Sequence, residues 1–477
     1  MPSLQIVLKH PVAGLTLLAM AQFIIAVDYN IVYVALPSIG GALGFSAVHL
    51  QWVVSAYALA FGGFLLLGGR LGDVFGRRTA FVVALVLYAG SSWAGGLATG
   101  PGLLIAARAV QGLGGALLFP TTLALIATYF AEGTERNRAL AVMGAAGASG
   151  GASGALLGGL LTSAFGWHWT FFVNVPIAAL VVIGALWVLP RDEPRNAKVR
   201  IDLPGALTAT AGLVSLVTAC IEGPELGWTS SIVVGLLMGA LMLLGGFLLI
   251  ESRTAAPLMP LRLLRHSSLP TGMLICALFA SAFGAQYFLL TTYLQEVRQL
   301  APQMAGLAFL PFALSIVAGT RIGGRLVNRV GLRNGLLVGL ALGVAGLLLV
   351  AFNLSAEGSY TTRLLPGFLL DGLGQGITWT LMWISATSGI DARDRGIASG
   401  MASTAQQVGA ALGLALLVGI ATPGLEVSDA RASIPAITAG LRHALFAASL
   451  LATLAALVAL ARIPARPKPI SDLPTAA

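Results

Sequence analysis

Long apolar stretches alternate with short polar breaks along the whole chain. Fourteen stretches are long enough to count, near residues 12–36, 48–68, 79–98, 102–128, 139–164, 169–189, 204–221, 231–250, 269–293, 304–324, 334–353, 363–388, 397–421 and 437–461. About 20 apolar residues in a row give a helix that spans the hydrocarbon of a bilayer. The pattern therefore predicts fourteen membrane-spanning helices.

Charge agrees with that setting. Of the 477 residues, 57% are hydrophobic and 9% charged. A soluble domain carries about a quarter charged residues, so this chain could not clothe a water-facing surface. Of 27 Lys and Arg residues, 22 fall in one alternate set of ends and breaks, including Arg70, Arg77 and Arg78, and 4 in the other, Arg298, Arg363, Arg431 and Arg442. The positive-inside rule puts the first set, with both termini, in the cytoplasm. The net charge of +9 is not a nucleic-acid signal, because the basic residues form no patch with interleaved aromatics. Cys220 and Cys276 lie in apolar runs without CxxC spacing, so neither a disulfide framework nor a metal site is expected. The first apolar run is too long for the core of a signal peptide and is expected to stay as the first span.

The chain also repeats. GGRLGDVFGRR at 68–78 and GGRLVNRVGLR at 323–333 share six of eleven positions, with Asp73 matched by Asn328, at an offset of 255 residues. That offset covers eight spans, where two similar six-helix halves would need six. The extra spans are expected at 204–221 and 231–250, after the charged stretch RDEPRNAKVRID. The expected division is a first bundle over 1–190, a linker with two extra helices over 191–265, a second bundle over 266–462 and a tail over 463–477.

These motifs resemble those of the major facilitator superfamily, and the fourteen-span drug/proton antiporters in particular. The resemblance rests on the GGRLGDVFGRR loop, VDYNIVYVALP in span 1, RAVQGLGGALLFP in span 4, GALLGG with WHWTFFVNVP after it, YLQ at 293–295 and GIASGMASTAQQVGAALG at 396–413. It departs at Ala155, where the family has proline, and at Trp167-His168-Trp169, where it has WRW. The resemblance implies an all-α integral membrane protein with the major facilitator fold, two six-helix bundles plus two inserted central helices. It implies a proton-coupled exporter of lipophilic, and in one version cationic, small molecules in the cytoplasmic membrane, working as a monomer. An exporter of one metabolite or antibiotic, serving self-resistance, is the second reading. A receptor or enzyme on the same fold is the third, although the breaks are too short for a soluble domain. No GxxxxGK[ST] loop and no nucleophile–base constellation occur, so neither ATP-driven transport, a cofactor nor catalysis is expected.

Charges inside spans are costly and functional by default. Asp28, Arg108 and Asp371 lie well inside and are the candidates for proton coupling. Asp28 is expected to face a water-filled cavity and exchange a proton there, with Arg108 biasing it. Asp371, Gln375, Trp379 and Trp383 recur every fourth residue on one helix face. An acid, an amide and two indoles suit a flat or cationic ligand. Asn30, Gln111, Gln286 and Tyr287 are further substrate candidates. Gln22 and Tyr57 are read as polar contacts between helices. Gly69, Arg70, Asp73, Gly76, Arg77 and Arg78 form a conformational latch, its arginines pairing with acids and Asp73 meeting the N-terminal end of span 13 near Gly396. The stripes Gly150-Gly154-Gly158 and Gly147-Gly151-Gly159 are expected to let helices approach closely.

Overall fold

A computed structural model describes residues 10–192, 202–266, 268–391, 394–425 and 430–465. Most of the 191–202 linker and the tail from 466 lie outside the described residues, as do Lys9, Arg195, Lys198, Arg200, Arg393 and Lys468.

The first bundle contains α1 (Pro11–Leu43), α2 (Trp52–Phe75), α3 (Arg77–Gly96), α4 (Pro101–Tyr129), α5 (Thr134–Phe165), the short α6 (Trp169–Phe172) and α7 (Asn174–Val188). Two helices follow, α8 (Leu203–Leu226) and α9 (Ser231–Arg253), then the short α10 (Arg262–His266). The next membrane segment is α11 (Leu269–Phe283) continued by α12 (Gln286–Thr292) and a π-turn over Tyr293–Val297. Last come α13 (Pro302–Ala308), α14 (Leu310–Asn353), α15 (Tyr360–Arg363), α16 (Leu365–Thr387), α17 (Arg395–Leu425) and α18 (Ala430–Arg462). Apolar side chains point outward in a belt, with Trp187 86% and Leu241 68% exposed. Such a surface is stable against lipid and not against water.

Twelve helical segments among the described residues are long and apolar enough to cross a bilayer. The sequence pattern gave fourteen, and both differences have a cause. Pro302–Asn353 is a single apolar stretch of 52 residues with no intervening loop, and it holds two spans that break at Gly331, which has φ 82° and ψ 169°. Gly76 ends α2 with the same kind of backbone, φ 92° and ψ 143°. The repeat thus places a glycine at the same left-handed turn in both copies, a conformation that strains other residues. The second difference is α16, whose acid, amide and glycines keep it below that degree of apolarity.

The small-residue stripes divide the work. Cβ atoms at Gly150, Gly154 and Gly158 would lie 2.7, 2.8 and 2.3 Å from the carbonyl oxygens of Phe23, Val27 and Ile31. The first stripe therefore seats α5 on α1. In the second stripe, Gly147 and Gly151 face a cavity, while a Cβ at Gly159 would lie 2.4 Å from Pro302 O in the second half of the chain. Ala155, at the position of the family proline, sits in unbroken helix and turns its carbonyl to Gly306 of α13.

Between the repeats, α8 packs between α2 and α17 as well as on α9. His49 Nε2 meets Glu222 Oε1 at 3.0 Å, joining α8 to the α1–α2 turn. With Glu225 these side chains bring three possible metal-ligand atoms within 4.8 Å of one another, a grouping hidden by their distance in sequence. At the other end Arg70 donates to Pro257 O at 2.6 Å, and Arg262 forms two bonds of 2.9 and 2.8 Å with Asp394, just before α17. The segment after α9 therefore touches both halves of the chain.

Candidate functional site

Between the halves lies a cavity of about 550 Å³. Residues of α1, α2, α4 and α5 line one side, and residues of α11, α12, α14, α16 and α17 the other. At the face opposite the Arg70–Arg78 loop it is closed. There Gln295 donates to Val34 O at 2.8 Å, Tyr33 donates to Gly284 O at 3.3 Å, and α5 and α13 meet glycine to backbone. Towards the loop face, Gly144 and Ala148 line the cavity and remain exposed. The wall is aromatic and amide, with Tyr29, Phe119, Trp379, Trp383, Gln375 and Gln407 among it, and it contains no Asp, Glu, Lys, Arg or His.

Of the expected ligand residues, Asn30, Tyr287, Gln375, Trp379 and Trp383 line this cavity, and Gln22 and Tyr57 join them. Asp28 and Gln111 do not. Along α1 the cavity face is Gln22, Ile25, Ala26, Tyr29 and Asn30, a helical stripe that Asp28 misses by one residue, about 100° of rotation. Asp28 instead points into the first bundle, fully buried. Its Oδ2 accepts from Arg108 Nη1 at 2.6 Å, and its Oδ1 from Gln111 Nε2 at 2.8 Å and Asn174 Nδ2 at 2.7 Å. Arg108 also donates to Val53 O at 2.8 Å and lies 4.4 Å from the centre of the Tyr57 ring. A carboxylate and a guanidinium buried together, each held by further hydrogen bonds, form a pin through α1, α2, α4 and α7.

Asp371 is also fully buried, just behind the cavity wall at the head of its stripe. It accepts from Gln286 Nε2, and from Gln375 Nε2 at 3.1 Å. Gln375 Nε2 also reaches Gln286 Oε1 at 2.7 Å. Gln286 is 1% exposed and lies behind the wall with the acid. No cation pairs with Asp371 among the described residues.

Of the loop arginines, Arg77 pairs with an acid as expected, Asp73, and the remaining side-chain bonds of Arg77 and Arg78 go to neutral oxygens. Arg77 donates to Thr128 Oγ1 and to Ala124 O at 3.1 Å, and Arg78 to Leu186 O at 2.6 Å. All three oxygens lie near the C-terminal ends of α4 and α7, where the dipole favours cations, and Leu186 O has no helical partner because residue 190 is proline. Asp73 lies 3.5 Å from Arg77. Gly69 has ordinary space around it, and Gly68 makes the close approach, its would-be Cβ 2.2 Å from Ala116 O. The residue that sequence reading missed is Asp192. Its carboxylate accepts from the N–H groups of Arg78 and Thr79 at 3.0 and 2.9 Å, capping α3. Replacing Asp192 with alanine is expected to destabilise this corner by ~1 kcal/mol. Amide hydrogen exchange at the first turn of α3 should rise about fivefold; unchanged protection would show that the cap is idle.

The sequence model of the Major Facilitator Superfamily matches residues 18–414. A puromycin resistance protein of Streptomyces alboniger is 40% identical over 411 residues, 86% of this chain and 81% of that protein. A cephamycin export protein of Amycolatopsis lactamdurans is 40% identical over 87% of this chain and 86% of its own. A multidrug resistance protein of Mycobacterium tuberculosis is 35% identical over 84% and 75%. In fold the chain is similar to a bacterial homologue of the lysosomal transporter Spinster, crystallised facing inward, with a TM-score of 0.66, 17% identity and coverage of 95% of this chain and 97% of that one.

Proposed function

Since the chain belongs to the major facilitator superfamily, we propose that it exports amphipathic drug-like molecules by alternating access, driven by protons. The observation that carries this reading is the aromatic, amide-lined cavity between the halves, closed at one face and reaching towards the other. The fourteen crossings, the two bundles with an inserted pair, and action as a monomer belong to the same reading. The Lys and Arg asymmetry supports cytoplasmic termini in the cytoplasmic membrane, which makes this conformation the inward-facing one. The loop motif would latch Asp73 to the start of α17, at Arg395, in the outward-facing state. There the loop-face ends of the two halves must approach, as the opposite ends do here.

The wall refines the substrate. The sequence pointed to lipophilic and cationic ligands. A wall without charged side chains fits neutral aromatic molecules better, because a charged ligand would lose hydration without gaining a counter-charge. Export of one compound is the second reading, favoured because two relatives are named for one antibiotic each.

Inside-out vesicles given a pH gradient should accumulate neutral aromatic probes in preference to anionic ones, and a protonophore should abolish the uptake. Uptake that survives the protonophore overturns proton coupling, and a preference for anions overturns the reading of the wall. Removing an indole tests the ligand surface. Trp379→Ala and Trp383→Ala should each weaken an aromatic probe by about tenfold, the loss of ~1.4 kcal/mol of ring contact. Equal affinity in both variants would place the ligand elsewhere.

A further inference from the structure

The two bundles carry the same pair of side chains in exchanged positions. Asp28-Tyr29 in α1 corresponds to Gln286-Tyr287 in α12, and both tyrosines line the cavity. Gln111 in α4 corresponds to Asp371 in α16. The glycines after them establish the register. Gly112 and Gly114 press on the backbones of α2 and α3, and Gly372 and Gly374 press in the same order on the two legs of α14. In each bundle one carboxylate therefore meets one amide across the same pair of helices, with acid and amide swapped. What does not carry over is the cation. Arg108 stands one turn before Gln111, whereas Phe368 stands one turn before Asp371, stacked with Phe309.

We propose that Asp371 is the proton-binding site of the transport cycle, and that Gln375 makes bound proton and bound substrate exclude each other. This rests on the export reading above. A proton on Asp28 would leave the buried Arg108 guanidinium without its counter-charge. A proton on Asp371 removes a buried charge that has no partner. Among the described residues, Tyr287 of α12 is the titratable side chain within electrostatic reach of Asp371. Among the described residues, no charged group of α11, α14, α15 or α17 acts on Asp371: α14 presents Gly346, and Arg363 of α15 packs against Gly358.

Gln375 is the side chain that joins this acid to the cavity wall. While Asp371 is ionised, both amides donate an N–H to the carboxylate, and Gln375 donates its other N–H to Gln286 Oε1. The Oε1 end of Gln375 is then what meets a ligand, so the cavity offers an acceptor. A protonated Asp371 becomes a donor and needs an amide oxygen. Gln375 then turns its carbonyl inward and its N–H groups outward, and the acceptor is lost. The favoured substrate is a planar, neutral molecule with an N–H or O–H donor beside its ring system. It binds when the proton has left and is released when the proton returns, the sense that exchange requires.

The test has a ligand-free arm and a ligand arm. Infrared difference spectra of the purified protein between acid and alkaline pH should show the carbonyl stretch of a protonated carboxylic acid. Asp28→Asn should retain that band and Asp371→Asn should lack it. In the ligand arm, 2-aminoanthraquinone should lose affinity by up to about tenfold per pH unit on acidification, as one linked proton requires. Its N,N-dimethyl analogue should show no such slope. Gln375→Leu should flatten the slope while keeping the infrared band, and Gln375→Asn should restore part of it. A band that persists in Asp371→Asn and disappears in Asp28→Asn overturns the assignment. A slope shared by both probes, or unaltered in Gln375→Leu, overturns the role of Gln375. None of these readouts requires transport, so they can fail while the vesicle assay succeeds, or the reverse.

Discussion

Arg108→Met is expected to destabilise the folded protein by about 3–5 kcal/mol, more than the loss of its packing alone would. Methionine keeps much of the volume and removes the charge. Asp28 is then left 0% exposed with two amide donors and no cation. Val53 O loses a donor as well, and Tyr57 its guanidinium. The double replacement Asp28→Asn with Arg108→Met should recover most of the loss. An asparagine carbonyl can still accept from Gln111 and Asn174, and no unpaired charge remains buried at this site. The measurement is the denaturant midpoint of purified single and double variants in one detergent. A double variant no more stable than Arg108→Met, or a single variant within ~1 kcal/mol of the parent, would show that the pair is not a pin. The contrast with the second bundle is part of the argument. Asp371 already lives without a cation, so Asp371→Asn should leave stability nearly unchanged.

This contrast explains what could be read in advance. The membrane setting, the repeat and the cavity-lining stripe of α16 follow from apolar run length, motif identity and fourfold spacing, and these are properties of the chain. The side of α1 on which Asp28 lies is not. Residues 28, 29 and 30 occupy three different sides of one helix, and which of them meets the cavity depends on how α1 is rotated against α4 and α5. That rotation is set by Gly150, Gly154 and Gly158 against the α1 backbone. The glycine stripe was legible, but its partner was not. Asp192 escaped notice for a related reason, since its role depends on reaching Arg78 and Thr79 across a distance of 114 and 113 residues. Gly331 shows the opposite case: two helices follow each other without a loop, yet the sequence repeat with Gly76 marks the break between them.

Gly159→Leu is expected to move the protein away from this conformation. The closed face depends on two glycines in contact, with a Cβ at Gly159 placed 2.4 Å from Pro302 O and one at Gly306 placed 2.7 Å from Ala155 O. A leucine cannot enter that seam, and overpacking costs about 1–3 kcal/mol. The seam lies between halves that are proposed to rock, so separation relieves the clash without unfolding either bundle. The same energy then appears as a shift of 5–150-fold, as estimated for couplings of this size, towards the conformation open at this face. Gly150→Leu is the control. Its Cβ would meet Phe23 O at 2.7 Å, a clash of the same kind, but both partners belong to the first bundle. Rocking cannot relieve it, so it should lower stability and leave the conformational balance alone. Spin labels on the α5–α6 and α14–α15 turns would report the separation, and a cysteine at Asn30 would report access from that face. If Gly159→Leu and Gly150→Leu give the same distance distributions, the seam is ordinary packing and not the moving contact of the cycle.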